Sequence, residues 1–242
     1  VPAALLSSPN NNLGVEYLRA LNIRQSAIRP MTVRREGAPH NSLFRAGERP
    51  AFLSATQIRR DLRSGSWNQI EAYLIPGTRQ LLKNSASGVA LLSRAERAVL
   101  ARIRTMTAQE WAMLPDSGTA EGLPQRLERA GHQCRSLEEF LNLAKTKRFT
   151  RARLRRLALW AYLGLVQADR PHHPPYLRVL AFNRRGQELL RDMKRRAVLP
   201  IVTKPAHARA LDTPGRHLFV LESRCTDLYD LCLEQVPAPG RE

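Results

Sequence analysis

Residues Ser136–Leu165 read SLEEFLNLAKTKRFTRARLRRLALWAYLGL, a stretch that combines a helix-start signal, a dense basic block and a helical apolar pattern. Ser136 and Glu139 have the spacing of a capping box, in which each side chain bonds the backbone N–H of the other residue. Residues 153–165 then show the periodicity of a strong amphipathic helix. The stretch is therefore predicted to be helical.

Similar helix signals recur throughout the chain after Pro76. Two further pairs share the capping-box spacing: Ser93 with Glu96, and Thr107 with Glu110. Around residues 176–203 the pattern instead predicts strand, turn, helix and strand, with Gly186 at the turn. We therefore predict that residues 81–242 form a mainly helical, basic domain that contains one small strand–helix–strand element.

Residues 1–80 alternate short apolar runs with turn-forming residues. Residues 1–8 and 27–35 predict short strands, and the asparagines at 10–12 predict a loop and cap before a helix with an apolar face. FLSATQIRRDL predicts a strand end, a cap and another helix. This rhythm is typical of a parallel α/β sheet. The predicted fold class is α/β plus α, with a partial Rossmann-like parallel-sheet domain over residues 1–80 preceding the helical domain.

The chain is strongly basic, with a formal net charge of +18 and a pI of about 11.2 over 242 residues. Such a charge is typical of a nucleic-acid binder, with a membrane-surface protein as the next option. A GC-rich genome would explain arginine in place of lysine, but not the shortage of acids. Residues 145–156, KTKRFTRARLRR, contain seven basic residues and no acidic one. A solvated charge run is the alternative there, but the global charge favours contact with a phosphate backbone.

Two helix starts in the first region are candidate phosphate sites, because helix N-termini attract anions. Asn10 and Asn11 precede the first predicted helix, where an ordinary cap is favoured over a ligand site. Ser54, Thr56 and Arg59 offer hydroxyls and a guanidinium at the second, where a plain cap and a phosphate site are equally supported. Neighbouring parallel strands would bring the two sites together at one sheet edge.

Other site classes find little support in the sequence. The three cysteines form no CxxC pair, and the six histidines show no metal-binding spacing, so we predict no metal site and reduced thiols.

The longest apolar run, LALWAYLGLV, is shorter than the roughly 20 residues of a membrane span. We expect no membrane association and a cytoplasmic location. Nothing in the sequence indicates an oligomeric state.

Several segments together resemble the bacterial tRNA(Met) cytidine acetate ligase family. They are, in chain order, LLSSPNNNLGVEYLRAL, SATQIRRDL, EGLPQRLERA, the stretch from Ser136 to Leu165, YLRVLAFNRRGQELL and LPIVTKPA. The resemblance implies a nucleotidyltransferase-like α/β domain followed by a helical domain. It also implies a ligase that activates acetate with ATP as acetyl-adenylate and acetylates N4 of the wobble cytidine of elongator tRNA(Met).

The resemblance assigns roles to particular residues. The residues implied to bind ATP, with Mg²⁺ as a candidate companion ion, are Asn10, Asn11, Arg34, Arg35, Ser54, Thr56 and Arg59. The tRNA-binding residues are instead predicted from the acid-free basic run, and they are Lys145, Lys147, Arg148, Arg151, Arg153 and Arg155. No catalytic residue is identified.

One departure from the family is the lack of an HxGH-like histidine motif upstream of the asparagines. The chain is therefore interpreted as a fragment, as one part of a split protein, or as a protein without catalysis. A non-catalytic RNA-binding module is the alternative function. A small-molecule nucleotidyltransferase is disfavoured, because such enzymes do not need so basic a chain. We expect the chain alone not to form N4-acetylcytidine.

Overall fold

The structure is a computed structural model, and it describes residue 6 and residues 9–33, 52–85, 88–118 and 122–240. The chain divides into two compact units, residues 1–75 and 76–242.

The described part of the first unit is helical. It contains α1 (Pro9–Ile23), α2 (Ala55–Arg63) and α3 (Trp67–Ile70), which runs into a 3₁₀ turn at Glu71–Tyr73. Ser54 caps α2, because its hydroxyl oxygen accepts the Gln57 N–H at 3.1 Å. On the buried face of α2, Gln57 Nε2 donates to the Asp61 carboxylate at 2.7 Å.

Two expectations for the first unit need correction. The asparagines at 10–12 lie inside the first turn of α1 and not before it, because the helix begins at Pro9, a residue suited to the first helical position. Residues 28–33 do not form a strand, and the described residues of this unit contain none. Pro30 cannot donate a ladder hydrogen bond, and the side chains of Met31 and Val33 are largely exposed. Residues 1–5 and 34–51 lie outside the described residues.

The second unit is built mainly of helices. They are α4 (Pro76–Asn84), α5 (Glu96–Thr105), α6 (Ala108–Ala112), α7 (Leu123–Gln133), α8 (Leu137–Ala144), α9 (Arg151–Leu163), α10 (Arg184–Arg196) and α11 (Thr213–Asp230). Helices α5, α7, α8 and α9 surround one core. Trp111 and Phe140 stack in it with ring centroids 5.8 Å apart, and both side chains are fully buried.

The capping predictions had mixed outcomes. Thr107 and Glu110 form the complete capping box at the start of α6, as predicted. Ser136 caps α8 through the Glu139 N–H, but Glu139 accepts from Arg135 and not from Ser136. The prediction at Ser93 was wrong. Helix α5 starts after Ala95, and Glu96 instead accepts the Leu137 N–H of α8 at 2.9 Å.

A small parallel sheet follows the core. Strand β1 (Leu177–Arg178) pairs with β2 (Ile201–Val202), and α10 connects them, which is the strand–helix–strand order that the sequence predicts. Gly186 is not at the turn: it lies in the first turn of α10, where its N–H donates to Asn183 Oδ1 at 2.9 Å. A 3₁₀ turn at Pro205–Ala210 leads to α11, whose Phe219 joins Tyr176 and Val202 in a second core.

Candidate nucleic-acid interface

Residues 145–150 form an ordered turn between α8 and α9, which we call the basic turn. Thr146 Oγ1 accepts the N–H groups of Arg148 at 3.2 Å and Phe149 at 3.0 Å. The Phe149 ring is buried in the main core, and Thr150 caps α9. The basic block of the sequence is thus half turn and half helix, and the turn is held at both ends.

Four of the six predicted tRNA-binding side chains are exposed at the surface. They are Lys145, Lys147 and Arg148 on the basic turn and Arg155 on α9. Within the part of the chain that the structure describes, no salt bridge or side-chain hydrogen bond is observed for them. Their charges are therefore available to a polyanionic ligand.

The other two predicted residues, Arg151 and Arg153, take part in the protein's own contacts. Arg151 pairs with Glu138 and donates to Asn142 Oδ1 at 2.8 Å. Arg153 donates from Nε to the Asp116 carbonyl at 2.9 Å and from Nη2 to the Ser117 carbonyl at 3.0 Å. Its guanidinium also lies 5.7 Å from the centre of the Phe149 ring. These contacts brace the basic turn, and tRNA contact by either residue stays a prediction.

The electrostatics of the helix start favour an anion. Helix α9 has no acidic residue in its first turn, and that turn instead carries Arg151 and Arg153. Cations at a helix N-terminus oppose the helix dipole and reduce stability. A phosphate placed there would be attracted by both the dipole and the arginines.

Arg126 supports the same turn and was missed from the sequence. It lies on α7 and donates from Nε to the Ala144 carbonyl at 2.8 Å and from Nη2 to the Leu143 carbonyl at 3.0 Å. These are the last carbonyls of α8, immediately before the basic turn. No local spacing connects Arg126 to them, so no sequence signal could have identified this contact.

Other arginine side chains also donate to the carbonyls at the C-terminal ends of helices. Arg104 donates to the Cys134 carbonyl at 2.9 Å, at the end of α7. Arg224 donates to the Leu163 and Gly164 carbonyls at 3.1 Å each, at the end of α9. Some of the arginines that outnumber the acids therefore donate to backbone carbonyls and not to acidic side chains.

Five of the seven predicted ATP-binding residues lie at the starts of two helices of the first unit. Asn10 and Asn11 are on the exposed first turn of α1. Ser54 is the buried cap of α2, and Thr56 and Arg59 follow on that helix, half-buried and exposed respectively. Arg34 and Arg35 lie outside the described residues. A single pocket joining these residues stays a prediction.

The described residues contain neither a metal-binding cluster nor a membrane-spanning helix. No group of three or more histidine, cysteine, aspartate or glutamate side chains is placed to hold a metal ion there. None of the helices in those ranges is both long enough and apolar enough to cross a bilayer.

Comparison with known proteins gives consistent matches over the whole chain. A sequence model described as HIGH Nucleotidyl Transferase matches residues 2–240. The tRNA(Met) cytidine acetate ligase of Alkaliphilus metalliredigens (strain QYMF) is 33% identical over 240 residues, covering 96% of this chain and 55% of the relative. The Thermotoga maritima protein of the same name is 30% identical over 247 residues, covering 96% of this chain and 58% of the relative.

Solved structures agree with these sequence matches. The apo crystal structure of Thermotoga maritima TmcAL superposes with a TM-score of 0.85 at 29% identity, covering 96% of this chain and 57% of that one. The form bound with alpha-thio ATP gives a TM-score of 0.82 at 28% identity, with 96% and 56% coverage. The chain thus spans little more than half the length of the relatives it matches.

Proposed function

Since the chain belongs to the HIGH nucleotidyl transferase family, among the tRNA(Met) cytidine acetate ligases, we propose that it supplies the RNA-contacting part of an ATP-dependent tRNA-modifying ligase. The single observation that carries the RNA assignment is the basic turn. Three exposed cations stand on an ordered loop, at a helix start that lacks acidic residues. Phosphate-backbone contact is the chemistry suited to such a surface.

The proposed reaction is the ligation of acetate to a tRNA cytidine, which the relatives' name describes. The acetate carboxylate attacks the α-phosphorus of ATP, forming acetyl-adenylate and releasing pyrophosphate. The exocyclic N4 amine of the wobble cytidine of elongator tRNA(Met) then attacks the acetyl carbonyl, giving N4-acetylcytidine and AMP. Several positive groups are needed around the α-phosphate, because negative charge builds up there in the transition state.

The nucleotide assignment is supported by the relative whose crystal structure is bound with alpha-thio ATP. In this chain we propose that Asn10 and Asn11 at the start of α1, and Ser54, Thr56 and Arg59 at the start of α2, face that nucleotide. Arg34 and Arg35 are proposed on their sequence motif alone. Mg²⁺ is proposed only as the usual companion of the ATP phosphates.

The RNA assignment is tested by charge reversal on the basic turn. The double substitution Lys147→Glu and Arg148→Glu should weaken tRNA binding and flatten its dependence on salt, because fewer counterions are released on binding. The matched control is Arg97→Glu with Arg216→Glu, which makes the same charge change at exposed positions on α5 and α11. Filter binding at several salt concentrations measures both. If the dependence of tRNA affinity on salt concentration is unchanged in the basic-turn variant, the proposal is wrong.

A non-catalytic RNA-binding module is the second candidate. The exposed cations of the basic turn favour it equally. The two candidates differ in whether the protein that contains this chain forms AMP from ATP, acetate and tRNA.

A further inference from the structure

The strand–helix–strand element contains a concave site that the proposed function does not use. A cavity of about 260 Å³ opens between α10 and the sheet, and its lining side chains are Phe182, Gln187, Leu190, Arg191, Lys194 and Thr203. This volume is just below the range of about 300–1,000 Å³ that is typical of small-molecule pockets.

The topology explains why these residues meet. Strands β1 and β2 are parallel, and the Val179 N–H donates to the Val202 carbonyl at 2.9 Å, which extends the pairing past β1. Phe182 follows β1, and Thr203 follows β2. The carboxyl ends of parallel strands form the edge at which α/β folds bind ligands.

Helix α10 presents cations to this cavity. Gln187, Arg191 and Lys194 are four and three residues apart, so they share one helical face. The Arg191 and Lys194 side chains are exposed, and no ion pair is observed for either one within the described ranges. The neighbouring acid Asp192 is paired with Arg195. Within the described residues, two cations therefore border the cavity and neither forms an observed ion pair.

Phe182 is both exposed and held in place. Its side chain is 53% exposed. A Cβ on Gly186 would lie 3.0 Å from the Phe182 Cβ, so the glycine allows the close approach of the aromatic residue to α10. Asn183, the next residue, is pinned as the helix cap. Aromatic rings beside a basic groove are the usual platform on which unpaired bases stack.

We propose that this cavity is a second RNA contact, in which Phe182 stacks on an unpaired base while Arg191 and Lys194 bind the adjoining phosphates. The inference rests on the proposed function, since it assigns another surface of the same unit to the same partner. A membrane surface is less well matched. On α10, Leu190 and Met193 are half-buried and only Leu189 among its large apolar side chains is exposed. The helix therefore presents a single exposed leucine, whereas an interfacial helix inserts a whole apolar face into lipid.

The test compares RNA hairpins that have an unpaired loop with fully paired duplexes of equal length. Phe182→Ala should weaken hairpin binding roughly tenfold, because stacking on one base is lost, and should leave duplex binding within about twofold. Phe182→Trp should retain hairpin affinity, whereas Phe182→Leu should behave like the alanine variant. Circular dichroism checks that each variant is folded.

Charge-reversal variants on two different faces of α10 test the role of the two cations at the cavity. Arg191→Glu with Lys194→Glu should weaken binding to both RNAs more than Arg185→Glu with Arg196→Glu, which lie on another face of α10. Equal effects of the two pairs would overturn the proposal, as would full hairpin affinity in Phe182→Leu.

Vesicles containing phosphatidylserine are the third probe. If the Arg191 and Lys194 variant loses vesicle binding and keeps RNA binding, the partner is a membrane and the proposal is wrong.

These outcomes separate the two proposals. If charge reversal at Lys147 and Arg148 weakens hairpin binding and the Phe182 variants do not, the proposed function stands and the second contact fails. If the unaltered chain binds neither RNA, both proposals fail.

Discussion

At the scale of single residues, Gly131 shows how closely the core is packed. It lies on α7 where that helix meets α5, and a Cβ at this position would lie 2.8 Å from the Ile103 carbonyl oxygen. Because the neighbouring atom is backbone, the clash cannot be relieved by a side-chain rotation.

Gly131→Ala is therefore expected to destabilise the protein by about 1–3 kcal/mol, the usual cost of overpacking a core. Gly77→Ala on α4 is the matched control, because no atom lies within 4 Å of its added Cβ. The control should gain roughly 0.4–1 kcal/mol of stability, because alanine reduces the conformational entropy of the unfolded chain. Urea unfolding followed by circular dichroism measures both, and a stable Gly131 variant would contradict the packing described here.

Arg153 and Arg155 are two residues apart and differ in their surroundings. Arg153→Ala should cost about 1.5–3 kcal/mol of stability, because two carbonyl acceptors at Asp116 and Ser117 lose a charged donor. Arg155→Ala should change stability by less than about 0.5 kcal/mol, as an exposed residue does. It should nevertheless lower tRNA affinity. Equal stability losses in the two variants would show that Arg153 is not a brace.

At the scale of elements, Asp169 joins a short 3₁₀ turn, residues Gln167–Asp169, to α11. Its Oδ2 accepts the Val166 N–H at 2.8 Å, and its Oδ1 lies 2.7 Å from His217 Nε2. Burial alone would raise the pKa of Asp169, but the Val166 hydrogen bond and the interactions with His217 and Arg224 outweigh it, so the pKa is lowered.

A lowered carboxyl pKa stabilises the fold above the unfolded value of about 3.9, and this contribution is lost as the pH falls through the folded pKa. Asp169→Asn should thus destabilise the protein at pH 7 by roughly 1 kcal/mol, and the difference from the unaltered chain should shrink below about pH 4. Urea unfolding at a series of pH values tests this. The control is Asp192→Asn, an exposed acid paired only within α10, and a gap at Asp169 that does not depend on pH would refute the assignment.

At the scale of the whole molecule, the chain should not form AMP by itself from ATP, acetate and elongator tRNA(Met). It covers 55–58% of the length of its ligase relatives, and it lacks the HxGH-like motif that the family resemblance assigns to the ATP phosphates. Misplaced phosphates cost orders of magnitude in rate. The full-length Thermotoga maritima ligase is the positive control, and AMP above background from this chain alone would show that other residues hold the phosphates.

The sequence alone determined the features whose partners lie close together in the chain. The Thr107 and Glu110 capping box and the Ser54 and Ser136 caps follow from spacings of three residues, because their hydrogen bonds close within one helical turn. The strand–helix–strand order follows from the order of local patterns along the chain. The family was also evident from its ordered motifs. Only the tertiary structure showed which members of the basic block are exposed and which are bound. Arg153 finds its acceptors 36 and 37 residues away and Glu96 finds Leu137 41 residues away, and such partners are set by how helices pack and not by local pattern.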